Sequence, residues 1–199
     1  MGSQSGMHAY LDWAKGRLDE IDATLASFES NAAKLQTDAR TRAESAMADM
    51  RTAGDAFRKS IKEHGQASEA TLTRSKEVLE TQWSSFEVSV QAYLDVIGKQ
   101  AKEQQAAFVA RAAAQGKAWQ DAIERLHKST TSFAADRREE IEKAVKRMTT
   151  EAEAAKVKLD KLNQAGGESW TAMKSALSET RAALDRAHQA AYDAFKRAG

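Results

Sequence analysis

From Leu11 onward the apolar residues of this chain recur at alternating steps of three and four, the spacing that lays them along one side of an amphipathic helix. Leu11, Ala14, Leu18, Ile21, Leu25, Phe28, Ala32, Leu35 and Ala39 keep that rule without a polar exception. Such a heptad seam is buried by laying a second helix against it. It runs on through Ala43, Ala46, Met50, Ala53, Phe57 and Ile61 after one extra step of four, which relaxes a supercoil locally. A first helix is therefore predicted over about 7–64.

Nothing in the composition opposes helix. Proline, which breaks interior helical hydrogen bonding, is absent from all 199 residues, and alanine, the best helix former, fills 40 of them. A second stripe reads Leu72, Leu79, Trp83, Phe86, Val90, Tyr93, Ile97, Ala101, Phe108, Ala112, Trp119, Ala122 and Leu126. Around Trp83 to Ile97 it widens, because Val88, Leu94 and Val96 lie off the main face. An apolar surface on more than one side calls for cover on more than one side, in the middle of a bundle or at an oligomer contact. A third stripe follows Ala134 through Ile141, Val145, Met148, Ala152, Ala155, Leu159 and Leu162, with Arg138 its one charged intruder. The last takes in Trp170, Met173, Leu177, Leu184, Ala187, Ala191 and Phe195.

Three breaks divide these stripes. Gly65 with Gln66-Ala67-Ser68 joins a C-cap glycine to an N-cap serine, although Gly16, Gly54, Gly98 and Gly116 stand in equally helical surroundings. The hydroxyl-rich run His127 to Ser132 interrupts the stripe before Phe133. Gly166-Gly167 is the strongest, since two adjacent glycines weaken a helix where one is tolerated. The expected fold is all-α: an elongated antiparallel bundle or coiled coil of three or four long helices, over about 7–64, 67–127, 132–164 and 169–197. Residues 1–6 read as a flexible leader, a cloning remnant with Met7 as the natural start, and 7–199 as a single domain. At ~1.5 Å per residue the longest helix would approach roughly 85 Å. Trp83, Trp119 and Trp170 each open an apolar stretch, but their spacings, 36 and 51 residues, give no solenoid of fixed period.

Charge narrows the partners. Thirty basic and 29 acidic residues, interspersed, leave a formal charge of +1, with neither the basic face nor the aromatic-basic interleaving that nucleic acid binding uses. No cysteine is present, which excludes disulfides, thiolate metal sites and thiol chemistry and fits a reducing, cytoplasmic compartment. No run approaches the roughly 18 apolar residues of a membrane span. Nucleophile elbows, phosphate-binding loops and His-Glu-x-x-His motifs are all missing. No catalytic residue, cofactor or small-molecule substrate is expected.

Five further features bear on chemistry. Glu124-Arg125-Leu126-His127 and Asp185-Arg186-Ala187-His188 are acid-x-x-His pairs, whose spacing puts both side chains on one helical face, as in di-iron bundles. The second pair carries Asp where such sites carry Glu, and Glu124 and His127 flank their stripe, so surface histidines beside ordinary acids are the expectation and no metal site is assigned. His8 and His64 sit at helix ends, where imidazole is commonly solvated or capping. Trp13 lies two positions off the seam and is either a partner or lipid surface or, as we expect, a flank covered by a third helix. Asp95, among Leu94, Val96 and Ile97, either fixes register or faces water.

These readings favour a non-enzymatic structural or interaction protein, acting through self-association or by binding another helical protein. From Leu11 to Phe195 the composition and periodicity also resemble bacterial Ala-rich helical proteins of the apolipoprotein A/E type and phasins. That resemblance implies the alternative, amphipathic helices coating a lipid or polyester-granule surface. An Ala-rich seam favours opening because it buries less apolar area, at ~25 cal/mol per Å², than a Leu-rich one. Exchangeable apolipoproteins punctuate their helices with proline, however, and membrane-surface helices usually show a basic face; this chain has neither.

Overall fold

A computed structural model describes residues 3–64, 69–98, 101–131, 135–165 and 170–198. The chain is all-α, and no strand occurs among the described residues. Six helices appear there rather than three or four: α1 (Ser3–Ala32), α2 (Thr37–His64), α3 (Glu69–Val96), α4 (Ala101–Thr130), α5 (Ala135–Ala165) and α6 (Trp170–Ala198). The longest, α5, has 31 residues, about 46 Å at 1.5 Å per residue. Helix α1 begins at Ser3, inside the stretch expected to be a leader.

Two breaks correct the long helices expected from the sequence. The first falls at residues 33–36, where the amides of Lys34 and Leu35 donate to the carbonyls of Asn31 and Ala32, closing α1 with tight i, i+3 bonds. Gln36 then offers its carbonyl to the amide of Arg40 and starts α2, with Asp38 in its first turn. The apolar stripe does not register this turn, because Ala32, Leu35 and Ala39 stay buried right through it. The second falls after Val96, where the Gly98 amide turns back to the Asp95 carbonyl. A β-carbon at Gly98 would lie 3.1 Å from that oxygen. Gly16, Gly54 and Gly116 remain inside helices. The sequence breaks at Gly65–Ser68 and Gly166–Ser169 lie outside the described residues, although α2, α5 and α6 end or start where they predict.

Packing divides the chain into a contiguous unit, Arg17–Ala114, and a split unit made of Met1–Gly16 and Gln115–Gly199, with the boundaries inside α1 and α4. In the contiguous unit α1 and α2 run antiparallel, joined by Arg51 to Glu29 and Arg58 to Asp22, both at 2.6 Å. Gly54 lets α2 close on α1, since a β-carbon there would come 2.9 Å from Ile21 Cγ2. The core holds Phe28, Phe57, Phe86, Tyr93 and Phe108, all fully buried. Phe57 and Phe86 both meet Trp83, with ring centroids 6.5 and 5.5 Å away.

In the split unit α5 and α6 are antiparallel, tied by Lys158 to Glu179 and Arg197 to Glu140. Its core gathers Trp119, Leu126, Ile141, Met148, Leu184 and Phe195, with alanines filling much of the rest.

Burial in the two units repeats with one offset. Ala101 opens α4 98 positions after Ser3 opens α1, and at that interval buried Ile21 matches Trp119, Phe28 matches Leu126, Met50 matches Met148, Phe86 matches Leu184 and Ile97 matches Phe195. The tryptophan spacings conceal this period because the residue types change while the buried positions stay. The widened face of α3 is covered in part: Leu94 is buried and Val96 half-buried, but Val88 is 68% exposed.

Candidate functional site, a buried charge cluster

The seam read through Leu11, Leu18 and Leu25 is turned aside in α1, where all three are only half-buried. The buried line runs instead through Tyr10, Ala14, Arg17, Ile21, Thr24 and Phe28, which also steps by four and three. One buried position beside it is Glu20. Two charged groups and a hydroxyl thus enter the interior on one helix.

Within the contiguous unit these meet Arg111 of α4 and Glu87 of α3. Glu20, with no exposed side-chain surface, bridges two arginines: Arg17 Nη1 donates to one carboxylate oxygen at 2.9 Å, and Arg111 Nη1 lies 3.0 Å from the other. Arg111 Nη1 also donates to Thr24 Oγ1 at 2.7 Å, and its Nη2 donates to the carboxylate of Glu87, which is one-third exposed. The Arg17 guanidinium carbon stands 4.5 Å from the Trp83 ring centroid, and that of Arg111 stands 5.7 Å from the Phe86 ring. Two guanidinium groups and two carboxylates balance in charge.

Burial pulls the Arg17 guanidinium below its ordinary range, while Glu20, and to a lesser degree Glu87, holds it charged. Charges withdrawn from water are tolerable only with geometry of this kind, in which opposite charges and hydrogen bonds replace hydration. The cluster ties α1, α3 and α4 to one register and engages its titratable groups with one another.

The split unit fills the equivalent positions differently. At the same offset Arg17, Glu20 and Thr24 become Gln115, Ala118 and Ala122, while Trp83 becomes Arg181 and Arg111 takes the place of Trp13. Its polar contacts are looser: Gln115 Nε2 reaches Thr180 Oγ1 at 3.5 Å, and Arg125 Nη2 donates to the Asp12 backbone carbonyl at 3.2 Å. Gly16 lies beside this contact, where a β-carbon would sit 3.4 Å from Arg125 Nη2, an ordinary contact distance.

The two acid-x-x-His pairs lie in unlike surroundings. Glu124 and His127 are exposed, and Lys128, bonded at 2.6 Å, holds the Glu124 carboxyl below the usual carboxylate range. Asp185 is half-buried, and His188 is buried with its ring edge-on to Trp119 at 6.0 Å. Among the described residues no three His, Asp or Glu side chains gather as metal ligands would. Trp13 is half-buried and stacks on buried Tyr10 at 5.4 Å. Asp95 faces water, accepting a hydrogen bond from Gln91 Nε2 at 2.7 Å. The side chains of His8 and His64 lie outside the described residues.

Sequence reasoning missed the charge cluster because its stripe was required to be apolar. The signal was present: Arg17 and Thr24 keep step with Tyr10, Ala14, Ile21 and Phe28. No described helix is long and apolar enough to cross a membrane. No protein-family model matches this chain, and no curated protein or solved structure is significantly similar to it.

Proposed function

We propose that this protein is a non-enzymatic interaction scaffold that acts by helix-to-helix association, with itself or with another helical protein. One observation supports this above others. Among the described residues the most deeply buried charged groups, Arg17, Glu20 and Arg111, are bonded to one another and to Thr24, so they are committed to helix register. Coiled-coil packing of exposed helix faces is the finer form of the proposal. Sedimentation velocity over a range of protein concentrations tests it. A sedimentation coefficient that rises with concentration, or a stable complex with a helical partner, is the expected result; a monomer throughout that turns over a substrate would end the reading.

The coating alternative, implied by the resemblance to apolipoprotein-like proteins and phasins, draws on the split unit. Its interior relies on small and polar side chains such as Ala144, Ala155, Ala176, Thr180, Arg181 and His188, so closing it buries less apolar surface per residue than the aromatic core of the contiguous unit. Tryptophan fluorescence with neutral and anionic vesicles separates the two readings. A blue shift favours coating, and an unchanged spectrum favours the scaffold.

A further inference from the structure

Helices α5 and α6 of the split unit enclose an open groove of about 530 Å³. Its α5 wall carries Lys143, Lys146 and Arg147, and its α6 wall carries Arg186. Ala183, Ala187 and Ala190 of α6 add small apolar side chains to the lining. Each wall presents positions three and four apart, so two helices offer parallel ridges with a furrow between them, the shape into which a third helix packs. Alanines on such a surface let a helical backbone approach closely.

Charge identifies what enters. Several exposed cations of this unit have acidic partners: Lys117 with Asp121, Lys128 with Glu124, Lys158 with Glu179 and Arg197 with Glu140. In the groove Lys143 pairs with Glu139, but Lys146, Arg147 and Arg186 form no ion pair among the described residues, and Glu151 is the one acid on the lining. Nor does the fold demand cations here. The positions 98 earlier, on the matching face of α2 and α3, are Ala48, Asp49 and Val88.

We propose that this groove receives an acidic amphipathic helix from a partner protein, its apolar edge on the alanine floor and its carboxylates against Lys146, Arg147 and Arg186. This rests on the interaction-scaffold reading and names the chemistry of one partner. A concave furrow suits a helix better than a bilayer, because a plane of lipid headgroups meets the basic rim and leaves the floor unfilled.

The test uses the full chain and a fluorescein-labelled helical peptide of ~21 residues, about 30 Å long, with Ala and Leu on one face and Glu flanking them. Fluorescence anisotropy should report saturable binding that weakens as salt rises. Lys146→Gln, Arg147→Gln and Arg186→Gln together should weaken it roughly tenfold or more. A control triple, Lys34→Gln, Lys62→Gln and Lys102→Gln, removes the same charge from the contiguous unit and should leave binding unchanged. All these side chains are exposed, and circular dichroism verifies that each variant keeps its helicity. Equal loss in both triples, no binding at millimolar peptide, or capture by phosphatidylglycerol vesicles in place of the peptide overturns the assignment. Sedimentation of the same samples separates the two levels: loss of peptide binding overturns the groove assignment whatever the oligomeric state, and the scaffold reading falls only if the protein also stays monomeric and turns over a substrate.

Discussion

The ring of Tyr93 lies flat against that of Phe28, centroids 4.1 Å apart and planes 11° from parallel, and its hydroxyl donates to the Phe28 backbone carbonyl at 3.2 Å. This pair locks α3 to α1 in the contiguous unit through a stack and a hydrogen bond made by one side chain. Burial, reinforced by the negative charge of Glu103, pushes the Tyr93 phenol up from 10.0 to about 12. Because the folded value lies above the unfolded one, the stabilisation is complete below pH 10 and is lost as pH rises from 10 toward 12. In a spectrophotometric titration Tyr93→Phe should remove a tyrosine ionisation step that lies above pH 10. A Tyr93→Phe titration that loses its step near pH 10 instead, with helicity intact in both proteins, would contradict the burial.

Arg111→Met leaves Glu20 buried with half its partners, and breaking a buried pair on one side costs about 3–5 kcal/mol. Urea denaturation should show that loss. Replacing Arg17, Glu20 and Arg111 together by Leu, Leu and Met removes the unpaired charge and should recover most of it, since Glu87 is exposed enough to be hydrated. A triple variant as unstable as the single one would mean that the cluster stabilises through something other than charge pairing.

Two glycines in helices should respond to alanine with opposite signs. At Gly116 nothing lies within 4 Å of an added β-carbon, so Gly116→Ala should stabilise by about 1 kcal/mol through helix propensity alone. At Gly54 the new methyl meets Ile21 Cγ2 at 2.9 Å, and Ile21 is fully buried. Overpacking of that kind costs ~1–3 kcal/mol, so Gly54→Ala should lower the urea midpoint despite its better propensity.

Leu35 sits in the turn between α1 and α2 yet is only 7% exposed. If this turn belongs to the core, Leu35→Ala should cost about 2–5 kcal/mol, as in a helix interior. Lys34→Ala, exposed in the same turn, serves as the control and should change stability little.

Periodicity carried the all-α class and the outer limits of most helices, since α2, α4, α5 and α6 end or begin within a few residues of the expected breaks. It failed at residues 33–36 for a physical reason. A turn whose own Leu35 points inward keeps the threes and fours intact, and no glycine or proline marks it. At Gly98 the failure was one of weighting, because glycines at Gly16, Gly54 and Gly116 in equally helical sequence do continue as helix. The candidate site was less legible still. Arg17 and Glu20 look like an ordinary i, i+3 surface pair of α1, and Arg111, which joins them in the interior, lies on α4, distant in sequence. The α5–α6 groove was hidden for the complementary reason: interspersed charges look neutral in sequence, while only three-dimensional pairing shows which cations are left over.

The division of the chain into one uninterrupted unit and one assembled from two stretches sets an order of events during synthesis. Once Ala114 has emerged from the ribosome, every segment of the first unit is available and its aromatic interior can form. The opening turns of α1 have no such option, and they wait as an amphipathic stub until the later part of α4, which carries Arg125, is made. Translation pausing beyond Ala114 would therefore expose that stub, and with it buried Tyr10 and Ala14, to chaperones or to neighbouring nascent chains.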